Sequence, residues 1–147
     1  MPQMIFVNLP VADLPAATSF YQAVGATKDD RFSDATTSGM AFSDAICLML
    51  LTHDRFRQFS LRPVADAKAA NEVLLTLSAD SRDAVDAMIG RAEAAGGRID
   101  PSPMEDCGDF MYGRSFEDLD GHLWGIMWMD VDAFLKASVA AAPAAPA

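Results

Sequence analysis

The stretch that decides the fold is FEDLDGHLWGIMWMD, residues 116–130. An Asp120-Gly121 turn signal precedes a run of large apolar and aromatic residues, which predicts a tight turn leading into a buried strand. Gly125 lies in the middle of that run and has no side chain. Either it faces a space that another molecule occupies, or it marks a bulge or a close backbone approach in an ordinary strand.

Side-chain alternation along this strand predicts two different faces. Leu123, Gly125 and Met127 would share one face, which we expect to point into a pocket. The bulky residues between them would pack on the opposite face, against helices; these are Trp124, Ile126 and Trp128.

The order of predicted elements occurs twice along the chain. In the first half, IFVNLPV predicts a strand, and Asp13, Pro15 and Gly25 fit the cap, first turn and end of a following helix. Three strand-like runs follow: TKDDRF, which is weak, TSGMAFSD and AICLMLLT. The second half repeats this order with NEVLLTLSAD, the helix SRDAVDAMIGRAEAAGG, GRIDPSP, FMYGRSFED and GHLWGIMWM. The sequence therefore predicts a duplicated strand-helix-three-strand unit.

The length of 147 residues fits one domain. We expect this domain to span residues 1–130 and to contain two repeats, about 4–52 and 71–130. Residues 53–70 form a connector, whose phenylalanines at helical spacing, Phe56 and Phe59, would allow it to serve as a lid. Beyond the domain, residues 131–147 predict a short amphipathic helix and an Ala/Pro tail that buries too little to stay ordered.

Composition excludes several classes of function. The net charge of −10, from 21 acidic and 11 basic residues, argues against a nucleic-acid partner. No apolar stretch is long enough to cross a bilayer, and MPQMIFVNLPV reads as a first strand rather than a signal peptide. With only Cys47 and Cys107, a disulfide framework is not indicated, and we expect a cytoplasmic protein. The acidic charge either attracts a cationic small molecule or simply keeps the surface soluble.

The segments VNLPVADLPAATSFYQAVG and FEDLDGHLWGIMWMD resemble the vicinal oxygen chelate superfamily. This superfamily includes glyoxalase I, extradiol dioxygenases and the bleomycin and fosfomycin resistance proteins. The resemblance covers about residues 4–130 and is close to the bacterial branch labelled predicted lactoylglutathione lyase. It implies an α+β fold of two tandem βαβββ modules whose strands curl into a cup, and it implies that the cup is the site.

The resemblance also implies where a metal would bind. In the metal enzymes of the superfamily, the first and last strands of each half supply His, Glu or Gln ligands. Carried over to this sequence, the four positions fall on Phe6, on Met49 or, two residues earlier, Cys47, on Leu74 and on Gly125. None of these residues is a usual ligand of a hard ion.

Three functions compete on this basis. The substituted positions favour a small-molecule-binding protein without a metal cofactor, which sequesters its ligand as the bleomycin resistance proteins do. The alternatives are a lactoylglutathione lyase or extradiol-type dioxygenase that uses a divalent metal, and a non-catalytic dimerisation module. We also expect a homodimer, because the superfamily pairs its modules along edge strands and exposed edges need cover.

Nine residues are predicted to line the ligand pocket, and no catalytic residue can be assigned among them. Arg114 would either bind a ligand carboxylate or pair with a neighbouring acid. Methionines on the predicted cup strands would line an adaptable pocket or fill the core; these are Met40, Met49, Met111, Met127 and Met129. The nine pocket residues are Phe6, Asn8, Met49, Leu74, Thr76, Tyr112, Arg114, Gly125 and Met127.

Two further sets of polar residues are candidates for a functional role. The two histidines, His53 and His122, read as surface residues unless distant segments bring them together. The segment MEDCGDF supplies carboxylates that would form a solvated acidic loop or, alternatively, an acid/base pair. Acidic neighbours disfavour the thiolate of Cys107, so that residue is not a predicted nucleophile. The carboxylates of this segment are Glu105, Asp106 and Asp109.

Overall fold

A computed structural model describes residues 3–103 and 108–141. Its elements follow the predicted order, and short 3-10 turns occur at Asp30–Phe32 and Gly108–Phe110. The strands are β1 (Ile5–Val11), β2 (Thr27–Asp29), β3 (Thr37–Ala41), β4 (Ile46–Thr52), β5 (Leu75–Ser78), β6 (Arg98–Ile99), β7 (Met111–Glu117) and β8 (Leu123–Met129). The helices are α1 (Leu14–Val24), α2 (His53–Arg57), α3 (Arg82–Ala94) and α4 (Val131–Ala141). Among the described residues, no helix has the length and apolar character that crossing a membrane requires.

The two halves of the chain have the same topology. The first sheet has the strand order β1-β4-β3-β2 and the second has the order β5-β8-β7-β6. In each sheet the first and last strands of the half pair in parallel, and the other neighbours are antiparallel. This arrangement confirms the predicted α+β fold with two tandem βαβββ modules, and neither sheet closes into a barrel.

Local chemistry explains where the two long helices begin and end. Asp13 caps α1, because its side chain accepts a hydrogen bond from the Ala16 amide at 3.0 Å. Ser81 caps α3 in the same way through the Ala84 amide, also at 3.0 Å. Gly25 ends α1 at a φ of +122°, a conformation that favours glycine.

One hydrophobic core joins the two modules. Phe20 and Tyr21 of α1 contact Phe116 and Trp124 of the second sheet, with ring centroids 5.9 and 6.1 Å apart. The core also contains Leu9 and Leu48 from the first sheet and Val85 and Ile89 from α3. The helix-covered faces of both sheets therefore meet in the middle of the molecule, and the opposite faces point outward. A single chain consequently does not join its two half-cups into one cup.

A buried hydrogen-bond network links α1 to the turn before β8. The Tyr21 hydroxyl donates to Asp118 Oδ2 at 2.5 Å and accepts from Trp124 Nε1 at 3.0 Å. Asp118 Oδ1 accepts from the amides of Asp120 and His122 at 2.9 and 2.8 Å. Burial raises the pKa of Asp118, and burial together with the Asp118 carboxyl raises the pKa of Tyr21. The network fixes the second module against the first.

Strand β8 has the two faces that the sequence predicts. Trp124 and Ile126 are buried in the core, and Trp128 packs against it, whereas Gly125 lies on the outward face. The ladder continues without interruption through Gly125, which is opposite Ser115 on β7 and Thr76 on β5. Gly125 does not have a positive φ, unlike Gly121 in the preceding turn. The alternative that Gly125 marks a bulge is therefore wrong.

Candidate functional site

The candidate site is a cavity of about 480 Å³ on the outward face of the second sheet. This volume lies within the range of small-molecule pockets in proteins. Strands β5, β7 and β8 form its floor, and the segment after β6 forms one wall. The residues that could contact a ligand in this cavity are Leu74, Thr76, Ser102, Pro103, Met111, Gly113, Ser115, Leu123, Gly125 and Met127.

Two glycines leave the floor of the cavity without side chains. Gly113 on β7 is opposite Met127, and Gly125 on β8 is opposite Ser115, so the glycines lie diagonally on neighbouring strands. A Cβ added at Gly113 would make only ordinary contacts, the nearest at 3.6 Å from the Ile126 carbonyl oxygen. A Cβ added at Gly125 would lie 3.1 Å from Thr76 Oγ1, so the Thr76 side chain would have to shift by a few tenths of an ångström. The space above Gly113 is therefore available to a ligand, whereas the Thr76 side chain occupies part of the space above Gly125.

The first module fills the corresponding space with its own side chain. Gly39 on β3 is opposite Met49 on β4, as Gly113 is opposite Met127 in the second module. A Cβ added at Gly39 would lie 2.9 Å from Phe32 Cβ and 3.2 Å from the Phe32 carbonyl oxygen. The two modules are thus not equivalent: the first covers its glycine with the 3-10 turn after β2, and the second leaves a cavity.

Hydroxyl groups flank the glycine floor. Thr76 is next to Gly125 on β5, and Ser115 is next to it on β7. The Ser115 hydroxyl is buried and accepts a hydrogen bond from the Ser102 amide at 3.3 Å. The Ser115 carbonyl accepts from the Asp100 amide at 2.7 Å, so Ser115 anchors the wall segment at two points. These hydroxyls can exchange hydrogen bonds with polar groups at the edge of a ligand.

The side chains of Tyr112 and Arg114 lie on the opposite face of the sheet, contrary to their predicted place in the pocket. The Tyr112 hydroxyl donates to Asp86 on α3 at 2.6 Å. The Arg114 guanidinium donates to Asp100 at 2.6 and 3.2 Å and to Asp86 at 3.1 Å. Hydrogen bonding from Arg114 lowers the pKa of Asp100, and hydrogen bonding from Tyr112 and Arg114 lowers that of Asp86. Of the two roles open to Arg114, the structure shows pairing with neighbouring acids, although its backbone position borders the cavity.

Three other predicted pocket residues lie on the first sheet. Phe6 is opposite Cys47, and Asn8 is opposite Met49, with all four on the outward face. Asn8 borders a separate cavity with Phe56 and Phe59, so the connector covers part of this face. The structure therefore does not bring Phe6, Asn8 and Met49 together with Gly125 in one chain.

The strand register shows which residues lie directly beside the carried-over positions Phe6 and Gly125. Cys47, rather than Met49, is the neighbour of Phe6, and Thr76, rather than Leu74, is the neighbour of Gly125. Leu74 precedes β5, is 69% exposed and borders the cavity.

Neither the carried-over positions nor the strand neighbours fit a divalent ion. The neighbours are Phe6 and Cys47 on one sheet and Thr76 and Gly125 on the other. Within residues 3–103 and 108–141, no three His, Cys, Asp or Glu side chains form a group that could hold a metal.

The two histidines border one small cavity next to the connector. Its volume is about 260 Å³, and Asp66 and Asp120 also border it. His122 Nε2 lies 2.8 Å from the Pro10 carbonyl oxygen, so this ring is already engaged in holding the end of β1. Asp109 is exposed, and its backbone carbonyl accepts a hydrogen bond from Arg82 at 2.7 Å. Glu105, Asp106 and Cys107 lie outside the described residues.

Sequence reasoning missed Gly113, Ser115 and Ser102. The alternation in FMYGRSF places Gly113 and Ser115 on the face opposite Tyr112 and Arg114. Phe116 could have revealed this arrangement, because a large apolar residue is expected in the core and Phe116 shares its face of the strand with Arg114. In the structure Phe116 is buried in the core. Of the methionines, Met40 is a core residue, whereas Met111 and Met127 border the cavity.

The chain belongs to the Glyoxalase/Bleomycin resistance protein/Dioxygenase superfamily, whose sequence profile matches residues 3–126. Among solved structures, hypothetical protein SA1046 from S. aureus is 26% identical, with a TM-score of 0.71 over 87% of this chain and 94% of that one. A glyoxalase/bleomycin resistance protein/dioxygenase family enzyme from Burkholderia phytofirmans PsJN is 22% identical, with a TM-score of 0.68 over 86% and 98%.

The fosfomycin resistance protein FosX from Mesorhizobium loti is 16% identical, with a TM-score of 0.63 over 92% and 98%. No curated protein sequence matches the chain. The similarity to these solved structures establishes the fold, and the residues of the cavity determine the function.

Proposed function

We propose that this protein captures a small molecule in the cavity of its second module and does so without a divalent metal. The observation that carries the proposal is the cavity of about 480 Å³ above β5, β7 and β8, where Gly113 and Gly125 supply no side chains and the nearest neighbours leave room above Gly113. A cavity that is mostly apolar and has a few hydroxyl groups is suited to binding and orienting an organic ligand.

The charges on the protein and the lining of the cavity indicate which ligands the site can attract and hold. The net charge of −10 favours the approach of a cation over long distances. Among the described residues that border the cavity there is no carboxylate, and Arg114 is turned away to Asp100 and Asp86. Selectivity inside the cavity therefore comes from shape, apolar contact and hydrogen bonding rather than from a charge pair.

A metal-dependent lactoylglutathione lyase or dioxygenase is the alternative that the resemblance implies. Such chemistry needs an ion that polarises two adjacent substrate oxygens while protein ligands hold the ion. The positions at Phe6, Cys47, Thr76 and Gly125 do not supply that set of donors. We therefore favour small-molecule capture over metal-dependent catalysis.

Two measurements test the proposal. A thermal-shift screen of several hundred small organic molecules should find ligands that raise Tm, since a ligand at 100 times its Kd adds about 2.7 kcal/mol of stability. For a chain of this size, that corresponds to roughly 5–10 °C. Elemental analysis of the purified protein should show no stoichiometric divalent metal. One nickel, zinc or iron per chain, together with metal-dependent turnover of the glutathione hemithioacetal of methylglyoxal, would contradict the proposal.

We also propose that the protein is a homodimer. On the first sheet and the turn beside it, Ile5, Phe6 and Phe32 expose 56, 49 and 53% of their surface. Exposed apolar side chains next to unpaired strand edges are usually covered in soluble proteins. A second copy of the chain would cover this face and complete the half-cup that one chain leaves open.

A further inference from the structure

The wall of the cavity begins at a residue with an unusual backbone conformation. This wall segment, residues 100–103, follows β6 and contributes Ser102 and Pro103 to the cavity. We propose that Arg114 is a positioning residue for the wall: it holds Asp100 in a strained left-handed conformation, which keeps the Asp100 carboxylate out of the cavity and Ser102 at the cavity edge. The meaning of this role rests on the proposed capture function, whereas its test needs no ligand.

The strand register shows where the Asp100 side chain would lie on a regular backbone. Ile99 on β6 is opposite Phe116 on β7, and both pack in the core. Asp100 comes next, and its amide donates to the carbonyl oxygen of Ser115 at 2.7 Å. Side chains alternate along an extended chain. An extended Asp100 would therefore direct its carboxylate to the outward face, beside the Ser115 hydroxyl at the edge of the cavity.

The observed conformation turns this carboxylate to the other face of the sheet. Asp100 has a φ of +50° and is the only residue other than glycine with a positive φ in the part of the chain that the structure describes. Its carboxylate accepts two hydrogen bonds from the Arg114 guanidinium, at 2.6 and 3.2 Å. The left-handed conformation therefore keeps this carboxylate away from the cavity and beside Arg114.

Such a conformation needs support from the rest of the protein. It is unfavourable for residues other than glycine, although aspartate tolerates it better than most. Pro101 adds to the cost, because the residue before a proline prefers an extended backbone. The support comes from Arg114, which also donates to Asp86 on α3 at 3.1 Å. The Arg114 side chain is only 22% exposed, so water competes poorly for its two-pronged bond to Asp100.

Asp100 also determines the path of the residues that follow it. The Ser102 amide donates to the Ser115 hydroxyl at 3.3 Å, which is the second attachment of the wall to β7. Pro101, between the two attachments, has no amide hydrogen to donate. If Asp100 relaxes to an extended backbone, the direction of the chain changes and the Ser102 bond is lost. Loss of the ion pair should therefore alter the wall and the charge of the cavity together and leave the glycines of its floor in place.

Amide hydrogen exchange of the full-length protein, followed residue by residue by NMR, tests this role. Arg114→Met keeps an apolar stem and removes the guanidinium. It should speed exchange of the Asp100 and Ser102 amides by about tenfold or more relative to the amide of Leu48 in the core of the first module, which is the size expected from the strain of one left-handed residue. The three-bond coupling between HN and Hα of Asp100 should change toward its extended value.

Two further arginine variants make the comparison specific. Arg98→Met is the matched control, because Arg98 lies on β6 with its side chain 71% exposed and its nearest acid, Glu117, 3.9 Å away. It should leave the exchange of Ser102 unchanged. Arg114→Lys keeps the charge but cannot form the two-pronged bond, so it should give an intermediate rate. The test therefore does not depend on the folding of Arg114→Met alone.

Asp100→Gly distinguishes positioning of the wall from general stabilisation. Glycine adopts a positive φ without the strain that a side chain causes, so a glycine at this position does not need the ion pair. In the double variant Arg114→Met, Asp100→Gly, exchange of the Ser102 amide should return to within about threefold of the wild-type rate. If Arg114 acts only by tying β7 to α3 through Asp86, no such rescue occurs.

Each other outcome overturns the proposal. These outcomes are a Ser102 amide without protection in the wild-type protein, unchanged exchange in both Arg114 variants, equal acceleration of Ser102 and Leu48, and failure of Asp100→Gly to restore the rate. The thermal-shift screen of the wild-type protein tests capture separately. Ligands found there leave the capture function intact when the role of Arg114 fails, and a confirmed role of Arg114 without any ligand means that the capture function alone is wrong.

Discussion

Replacing Tyr21 with phenylalanine should destabilise the protein far more than the same replacement at Tyr112. Tyr21 is fully buried, and its hydroxyl donates to Asp118 and accepts from Trp124 Nε1 at 3.0 Å. The change Tyr21→Phe leaves the indole N–H of Trp124 without a partner in the core, which costs about 1–3 kcal/mol. It also removes one of three donors to Asp118, although the two backbone amides remain. We expect a total loss of about 2–4 kcal/mol.

Tyr112→Phe is the matched control, because it removes the same atom from a similar bond. The Tyr112 hydroxyl donates to Asp86 at 2.6 Å in an exposed setting, where water can replace it and Arg114 still pairs with the acid. Its loss should cost less than about 1 kcal/mol. Urea unfolding followed by circular dichroism gives both free energies, and a loss of 2–4 kcal/mol corresponds to a fall in Tm of roughly 5–15 °C. The reasoning is refuted if Tyr21→Phe costs no more than Tyr112→Phe.

The remaining predictions concern the cavity, the acid cluster and the assembly. Gly125→Leu should abolish capture of ligands from the thermal-shift screen, because the added side chain fills the cavity, and it should cost only about 1–3 kcal/mol of stability, because the Thr76 side chain must shift to make room. Loss of the fold with ligand binding unchanged would contradict this. Because Arg114 lowers the pKa of Asp100, the contribution of Asp100 to stability is present above about pH 4 and is lost as the pH falls through its folded-state pKa. Asp100→Asn should therefore flatten the dependence of unfolding free energy on pH between pH 5 and pH 3, and an unchanged slope would argue against the pair. Analytical ultracentrifugation should show a dimer at micromolar concentration, and a monomer throughout a wide concentration range would count against the proposed association.

The sequence predicted the elements well, because their signals are local. The predicted strand IFVNLPV coincides with β1, and Asp13 makes the capping bond that its position before Leu14 indicates. A cap, a turn glycine or an apolar alternation involves residues a few positions apart, so it can be read without knowing the fold. The duplication follows from the same local signals in their order along the chain.

The site could be predicted only in part, because it depends on pairing between distant strands. Alternation correctly placed Gly125 and Met127 on one face, but it did not show that Gly113, rather than Arg114, shares that face on β7. Counting back from the helices gave Leu74 as the carried-over position, but it did not show that Thr76 is the residue opposite Gly125. The packing of the two sheets across a common core was also not visible, since an apolar face does not identify the surface that covers it.

Strand β8 explains why superfamily membership is compatible with a set of residues that does not fit a metal. Its inward residues Trp124 and Ile126 are buried in the core that both modules share, so changing them would disturb the whole fold. Its outward residues contact the cavity, and the backbone pairs of Gly125 with Ser115 and Thr76 are complete without any side chain there. The pattern that makes the fold recognisable therefore lies on one face of the strand, and the chemistry of the site lies on the other. A residue on the outward face can bind a metal, line the cavity or be a glycine, and each choice costs folding little. In this superfamily the fold alone therefore does not specify the reaction.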